Sequence, residues 1–206
     1  NKRKYNIYNS DIIDLLNNNS FCNQKIKLIY ADPPYTDMQY SRYYHLLNVA
    51  AQYNYPNPTI IHGKYTKGLY TEGRNQSKLS KKSTAKDVLQ KLFEFCYEHK
   101  IILALSYAYP KNKNNQKTDR YTISIEELVN MAKKMDVDII GIVENMSYVK
   151  CPDCDKKIYM FGKSHSQEVA DRYQLPLLGQ LPIDSELTQL SDQGYVENYH
   201  SDWFDE

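Results

Sequence analysis

The chain predicts an α/β fold with a mainly parallel sheet flanked by helices. Three observations carry that expectation. Apolar runs of strand length alternate with amphipathic stretches of helical length throughout. The runs 26–31, 101–107 and 138–146 are short, apolar and bounded by polar residues, as buried parallel strands are. The tetrapeptide Asp32-Pro33-Pro34-Tyr35 follows the first run directly, where an open α/β sheet presents its ligands.

The elements follow in order. Residues 4–8 read as a short strand. Ser10 can cap a helix over 11–17, whose Ile12, Ile13, Leu15 and Leu16 form an apolar face. Residues 26–31 form the first buried strand and 41–52 a helix. The stretch 54–82 is long, rich in Tyr and Lys, and carries Gly63, Gly68 and Gly73; a loop of that length is usually functional or disordered. Residues 84–99 form a helix on Val88, Leu89, Leu92, Phe93 and Phe95. Residues 101–107 are the second strand and 109–120 a polar loop. Ser124 with Glu127 makes a capping box that opens a helix to about Met135. The third strand is 138–146, and 151–161 is a small hairpin-like insert. A helix over 164–173, a strand over 177–181 and a helix over 184–191 complete the chain.

Length and charge set outer bounds. The 206 residues suit one or two domains, and 41% apolar content is enough for a core. Net charge is +1, so its total favours no partner, but its distribution is uneven. Between His62 and Lys86 stand seven basic residues (Lys64, Lys67, Arg74, Lys78, Lys81, Lys82 and Lys86) against Glu72 alone. From Asp184 to Glu206 there are seven acids and no Lys or Arg. A polyanion such as DNA, if bound, would meet the middle, with the first six of those cations on its phosphates; a solvated loop is the other reading. No leader and no apolar run of membrane-spanning length is visible, which predicts a cytoplasmic, reducing setting and no membrane partner.

Asp32 to Tyr35 suggests a clamp for a flat, amine-bearing base. Adenine N6 is a poor nucleophile because its lone pair is delocalised. The Asp32 carboxylate and the Pro33 carbonyl could accept from N6, with Pro33 and Pro34 fixing the backbone and Tyr35 stacking on an extruded base. The same residues also make an ordinary turn. The run Leu28-Ile29-Tyr30-Ala31-Asp32-Pro33-Pro34-Tyr35, followed by Gln39-Tyr40-Ser41-Arg42-Tyr43-Tyr44-His45-Leu46-Leu47, resembles adenine-specific DNA methyltransferases of the DPPY type. The resemblance covers residues 5–134. It implies methyl transfer from S-adenosylmethionine to adenine N6, with Asp11 against the cofactor and Leu105-Ser106-Tyr107 shaping the base pocket. No glycine precedes Gly63, so the glycine-rich turn such enzymes place against the cofactor is not in this chain.

Cys151-Pro152-Asp153-Cys154 places two thiols on a tight turn. Such a pair can grip one metal or one edge of a cluster, or stand unliganded at the surface. Cys22 and Cys96 are remote in sequence, so a closed four-thiolate site needs a second copy of the chain or exogenous ligands. A thioredoxin-like pair would open a helix after a strand, which this one does not. The CxxC with Ile140-Gly141-Ile142-Val143-Glu144-Asn145-Met146-Ser147-Tyr148 before it, and Phe161-Gly162 and 175–184 after it, resembles the Mrp family of P-loop ATPases that carry iron–sulfur clusters. That resemblance covers 136–194. It implies a 4Fe-4S cluster, with zinc as the other metal, bridging a homodimer through Cys151 and Cys154, and Asn145 near a nucleotide base. The phosphate-binding motif GxxxxGK[ST] does not occur in the chain, so nucleotide hydrolysis by this chain alone is not expected.

The two resemblances meet in 130–135. They predict two domains, 1–134 and 135–206, from the C-terminal parts of two α/β proteins. Three functions follow: adenine-N6 methylation as the leading one, a cluster carrier as the alternative, and an inactive chimera.

Overall fold

The structure is a computed structural model that describes residues 5–108, 120–160 and 162–201. The expectations for Lys4, Tyr109 and Phe161 lie outside those residues, as does most of the loop 109–120. The chain forms two units, Asn1–Val137 and Asp138–Glu206.

The N-terminal unit contains α1 (Ile12–Leu16), α2 (Asn19–Cys22), β1 (Leu28–Ala31), α3 (Tyr40–Tyr43), α4 (His45–Gln52), β2 (Ile60–Ile61), β3 (Lys64–Tyr65), α5 (Lys82–Glu98), β4 (Ile102–Leu105) and α6 (Ile125–Lys134). Helix α5 organises it. Ala85, Val88, Leu89, Leu92, Phe93, Phe95 and Cys96 recur at helical spacing and are all buried. Leu92, Phe95 and Cys96 join Leu16 and Ile101 in one cluster, against which Ile29, Ala31 and Leu103 pack. Strands β1 and β4 pair in parallel, from Leu28 opposite Ile102 to Ala31 opposite Leu105.

Several expectations change here. Strands 26–31 and 101–107 were expected to be buried on both faces, yet Leu28, Tyr30 and Ile102 are exposed. The side chains of β1 alternate, so only one row reaches the core. Residues 5–9 form no strand. Asp11 rather than Ser10 caps α1, its carboxylate accepting from the Ile13 amide at 3.0 Å. The helix expected over 41–52 is broken at Tyr44 into α3 and α4. The Ser124–Glu127 capping box forms with both of its bonds. The long basic stretch contains the β2–β3 hairpin and a single 3-10 turn at Lys78–Ser80.

The C-terminal unit contains β5 (Ile142–Lys150), β6 (Lys157–Ile158), α7 (Ser166–Tyr173), β7 (Leu177–Pro182) and α8 (Ser185–Gln193). Strand β5 is central, parallel to β7 and antiparallel to β6. It begins and ends four residues later than expected. Its start is the first position paired with β7, Ile142 opposite Leu177; just before it a Cβ on Gly141 would fall 2.7 Å from the Pro176 carbonyl oxygen, so the close approach requires glycine there. The later end follows from pairing with β6, which holds Val149 opposite Ile158 and Lys150 opposite Lys157. The pairing with β7 is irregular between Glu144 and Tyr148, where Met146 takes φ of 54°. This is an irregularity of bulge type: from Glu144 to Tyr148 β5 advances four positions while β7 advances two, from Gln180 to Pro182. Asp184 caps α8 through bonds from Glu186 and Leu187.

Candidate metal-binding hairpin

The β5–β6 hairpin carries the CxxC at its tip. Cys151 donates its amide to the Lys156 carbonyl at 3.0 Å, and Asp155 donates back to the Cys151 carbonyl at 3.0 Å. Asp155 closes the turn with φ of 58°. An ion pair of 3.0 Å joins Lys150 to Asp155 across its base. Beneath it Tyr148 is buried, with the Lys157 ammonium 4.4 Å from its ring centroid and Tyr159 edge-on at 6.2 Å. The turn is thus held by backbone bonds below and leaves its thiols outward. Both cysteines are free, Cys151 half-buried and Cys154 exposed.

The turn also tunes one thiol. The Asp153 backbone amide, the Cys154 thiol and the Cys154 amide all bond to the Cys151 sulfur and lower its pKa. Hydrogen bonds to a thiolate favour the form that binds metals. Among the described residues no three His, Cys, Asp or Glu side chains gather into a metal site. The donor set is therefore two thiols on one turn. That fits half of a four-thiolate site.

Behind the hairpin lies a network that the sequence reading missed. Glu144 Oε2 accepts from Ser147 at 2.8 Å, Ser164 at 2.7 Å, Ser166 at 3.0 Å and Gln180 at 2.7 Å. Burial alone would raise the Glu144 pKa; the four bonds outweigh it and hold the carboxyl below its ordinary range. The network ties β5, the start of α7 and β7 together. Its members lie up to 36 positions apart, and no local spacing marks them. Asn145 is exposed, and its side-chain oxygen accepts from the Met146 amide at 2.9 Å, supporting the bulge.

In the N-terminal unit, Asp32 to Tyr35 does lie at the C-terminal end of β1, beside Ser106 and Tyr107 after β4. Ser106 donates to the Ala31 carbonyl at 2.8 Å. Asp32 is exposed, Pro33 buried and Pro34 half-buried. The Tyr35 ring stacks on Tyr121 at 6.2 Å and meets Tyr107 edge-on at 5.9 Å. Burial raises the pKa values of Tyr107 and Tyr121. Lys64, Lys67, Lys78, Lys81 and Lys82 are exposed, and Arg74 is half-buried. Lys81 and Lys82 stand at the N-terminal end of α5, where the helix dipole disfavours positive charge.

The comparisons decide between the readings. Residues 119–203 match the ParA family model, described as NUBPL iron-transfer P-loop NTPase. The back of this chain is similar to iron-transfer NTPases. The match includes α6 and all of the described C-terminal unit up to its last residue, 201. An iron–sulfur cluster carrier protein of Clostridium perfringens is 43% identical over 81 residues, 39% of this chain and 28% of that protein. One from Aquifex aeolicus is 39% identical over 70 residues, 34% of this chain and 19% of that protein. The iron–sulfur cluster transfer protein NUBPL of Dictyostelium discoideum is 41% identical over 66 residues, 32% of this chain and 20% of that protein. The chain thus spans between about a fifth and just over a quarter of these relatives' lengths. A nucleotide-binding protein of Archaeoglobus fulgidus, solved with ADP, aligns with 94% of this chain and 84% of its own at 20% identity, with a TM-score of 0.39.

These findings overturn adenine-N6 methylation as the function, and with it the DNA methyltransferase activity. The relatives are iron–sulfur carriers, not DNA methyltransferases. The structure supplies physical reasons. The Tyr35 ring is engaged by Tyr121 and Tyr107 rather than held open for a base. The Asp11 carboxylate caps α1. S-adenosylmethionine has no support as a cofactor. Among the described residues no helix is long and apolar enough to cross a membrane.

Proposed function

We propose that this chain carries an iron–sulfur cluster as cargo, gripped by Cys151 and Cys154 at the tip of the β5–β6 hairpin. One observation carries the reading: a CxxC turn with outward thiols, one of them acidified, lies inside the segment similar to iron–sulfur carriers. Two thiols from one chain leave a 4Fe-4S cluster half-coordinated. A second copy presenting the same hairpin completes four thiolates, so the carrier works as a homodimer joined through the cluster. The hairpin's chemistry suits this task. A rigid turn keeps the sulfur spacing fixed, and exposure lets a recipient's ligands reach the cluster. The nucleotide-dependent part of the relatives' work falls to a phosphate-binding motif that this chain does not contain. Asn145, beside the bulge, is the residue we place nearest a nucleotide base.

Anaerobic reconstitution of the full chain with ferrous iron and sulfide tests the proposal. A visible chromophore, with about four irons per two chains, that is lost in both Cys151→Ser and Cys154→Ser, is the expected result. Zinc bound at one per two chains, with no chromophore, would assign a structural metal instead. Retention of the chromophore in both variants would overturn the assignment.

A further inference from the structure

A second cluster, in the N-terminal unit, is chemically unfinished. Tyr70 is its centre. The guanidinium carbons of Arg74 and Arg42 lie 5.3 Å and 5.8 Å from the Tyr70 ring centroid, both within cation–π range. The His45 ring meets Tyr70 edge-on at 5.2 Å. Gly68 makes the room, since a Cβ there would collide with the Tyr70 ring. Three buried side-chain polar atoms lack a partner among the described residues: Ser41 Oγ, His45 Nε2 and Arg74 Nε. Two belong to residues touching Tyr70. The third belongs to the chain neighbour of Arg42, four residues before His45. An unsatisfied buried polar group costs about 1–3 kcal/mol, so such atoms seldom gather without a ligand or water to complete them. Neither guanidinium pairs with a carboxylate among the described residues.

The atoms define what is missing. His45 is 7% exposed, and its Nδ1 lies 2.8 Å from the Arg42 carbonyl, which can only accept. Nδ1 therefore donates there, and Nε2 is the ring nitrogen left without a partner. Arg74 Nε–H and the Ser41 hydroxyl need acceptors, and the two guanidiniums need negative charge. A phosphomonoester supplies all of these at once. Its non-ester oxygens accept, and its charge is near −1.5 to −2 at neutral pH. A phosphodiester has one fewer free oxygen and a single charge, which leaves one of the two guanidiniums without a counter-charge.

We propose that Arg42, Arg74 and His45, arranged around Tyr70, bind a phosphomonoester group, with Ser41, the chain neighbour of Arg42, as a further donor. This site is independent of the thiol hairpin and of the cargo reading above.

Calorimetric titration of the full chain with inorganic phosphate, with adenosine 5′-monophosphate and with a dinucleoside phosphodiester tests it. Both monoester-type probes should bind at least about ten-fold more tightly than the diester, as loss of a charge-assisted bond implies. Arg42→Gln and Arg74→Lys should each weaken binding by a similar factor. Arg42 is exposed, so its replacement reports on binding rather than folding. Arg74→Lys keeps the charge and removes the guanidinium's donor fork, Nε–H included. Cys151→Ser should leave the affinity unchanged. No binding by the unaltered chain would mean that buried water completes the cluster, and would overturn the proposal. So would equal affinity for the diester, or unchanged affinity in both arginine variants.

Discussion

Glu144 and Gln180 meet at 2.7 Å across adjacent strands, and that contact binds β5 to β7 behind the thiol hairpin. The same carboxylate oxygen also takes three serine hydroxyls. Glu144→Leu removes the acceptor that four donors share and should lower stability by about 1–3 kcal/mol. Glu144→Gln keeps an acceptor and should cost less. Urea midpoints read both against the unaltered chain; a Glu144→Leu midpoint equal to that of the unaltered chain would show that the network contributes nothing.

The network also fixes a pH dependence. The Glu144 pKa is depressed in the folded chain, burial opposing and the four bonds prevailing. A depressed acid contributes stability above its unfolded pKa, near 4.5, and loses it as pH falls through the folded value. Acid titration of stability should therefore be flatter below that point in Glu144→Leu than in the unaltered chain.

Tyr199 and Asp184 give the opposite limb. Tyr199 donates to Asp184 Oδ2 at 2.7 Å. Burial first, then that bond, pushes the Tyr199 pKa from 10.0 up to about 12. A raised acid stabilises the fold in full below its unfolded pKa, and the contribution fades as pH rises from 10 towards 12. Tyr199→Phe should remove that alkaline loss, as followed by circular dichroism.

The thiols should separate by reactivity. Burial pushes Cys96 up to about 11, whereas the turn amides lower Cys151. Brief iodoacetamide treatment near neutral pH should label Cys151 well before Cys96. Peptide mass mapping reads the order, and prior labelling of Cys96 would contradict the turn geometry.

Ser124 caps α6 with both bonds of its box in place. Ser124→Ala should cost about 1 kcal/mol, read as a lower melting temperature.

What was legible in the sequence was local. Ser124 with Glu127 is a signal three residues long, and it forms as expected. The CxxC and the runs flanking it pointed to cluster carriers, and the comparisons match that segment. Alternation of strand and helix gave the α/β class. The misreadings came from competition between neighbours or from contacts far apart in sequence. Ser10 and Asp11 are both capping residues, and only the backbone decides that Asp11 takes the role. Strand β5 runs on to Lys150 because Val149 and Lys150 pair with Ile158 and Lys157 beyond the turn, a pairing that periodicity within one run does not show. Asp32 to Tyr35 sits at the end of β1 as expected, but its neighbour Tyr121 arrives from 86 positions away and occupies the Tyr35 face. The Glu144 network joins three elements, and nothing in any one of them announces it.

The register step between Glu144 and Tyr148 has a geometric effect at the hairpin. A strand's alternation reverses with every added position, and here Ser147 and Tyr148 are buried in succession. The step seats the Tyr148 ring under the turn, against the Lys157 ammonium. Chain length between Glu144 and Tyr148 thus sets which side chains of β5 meet the interior just before the turn.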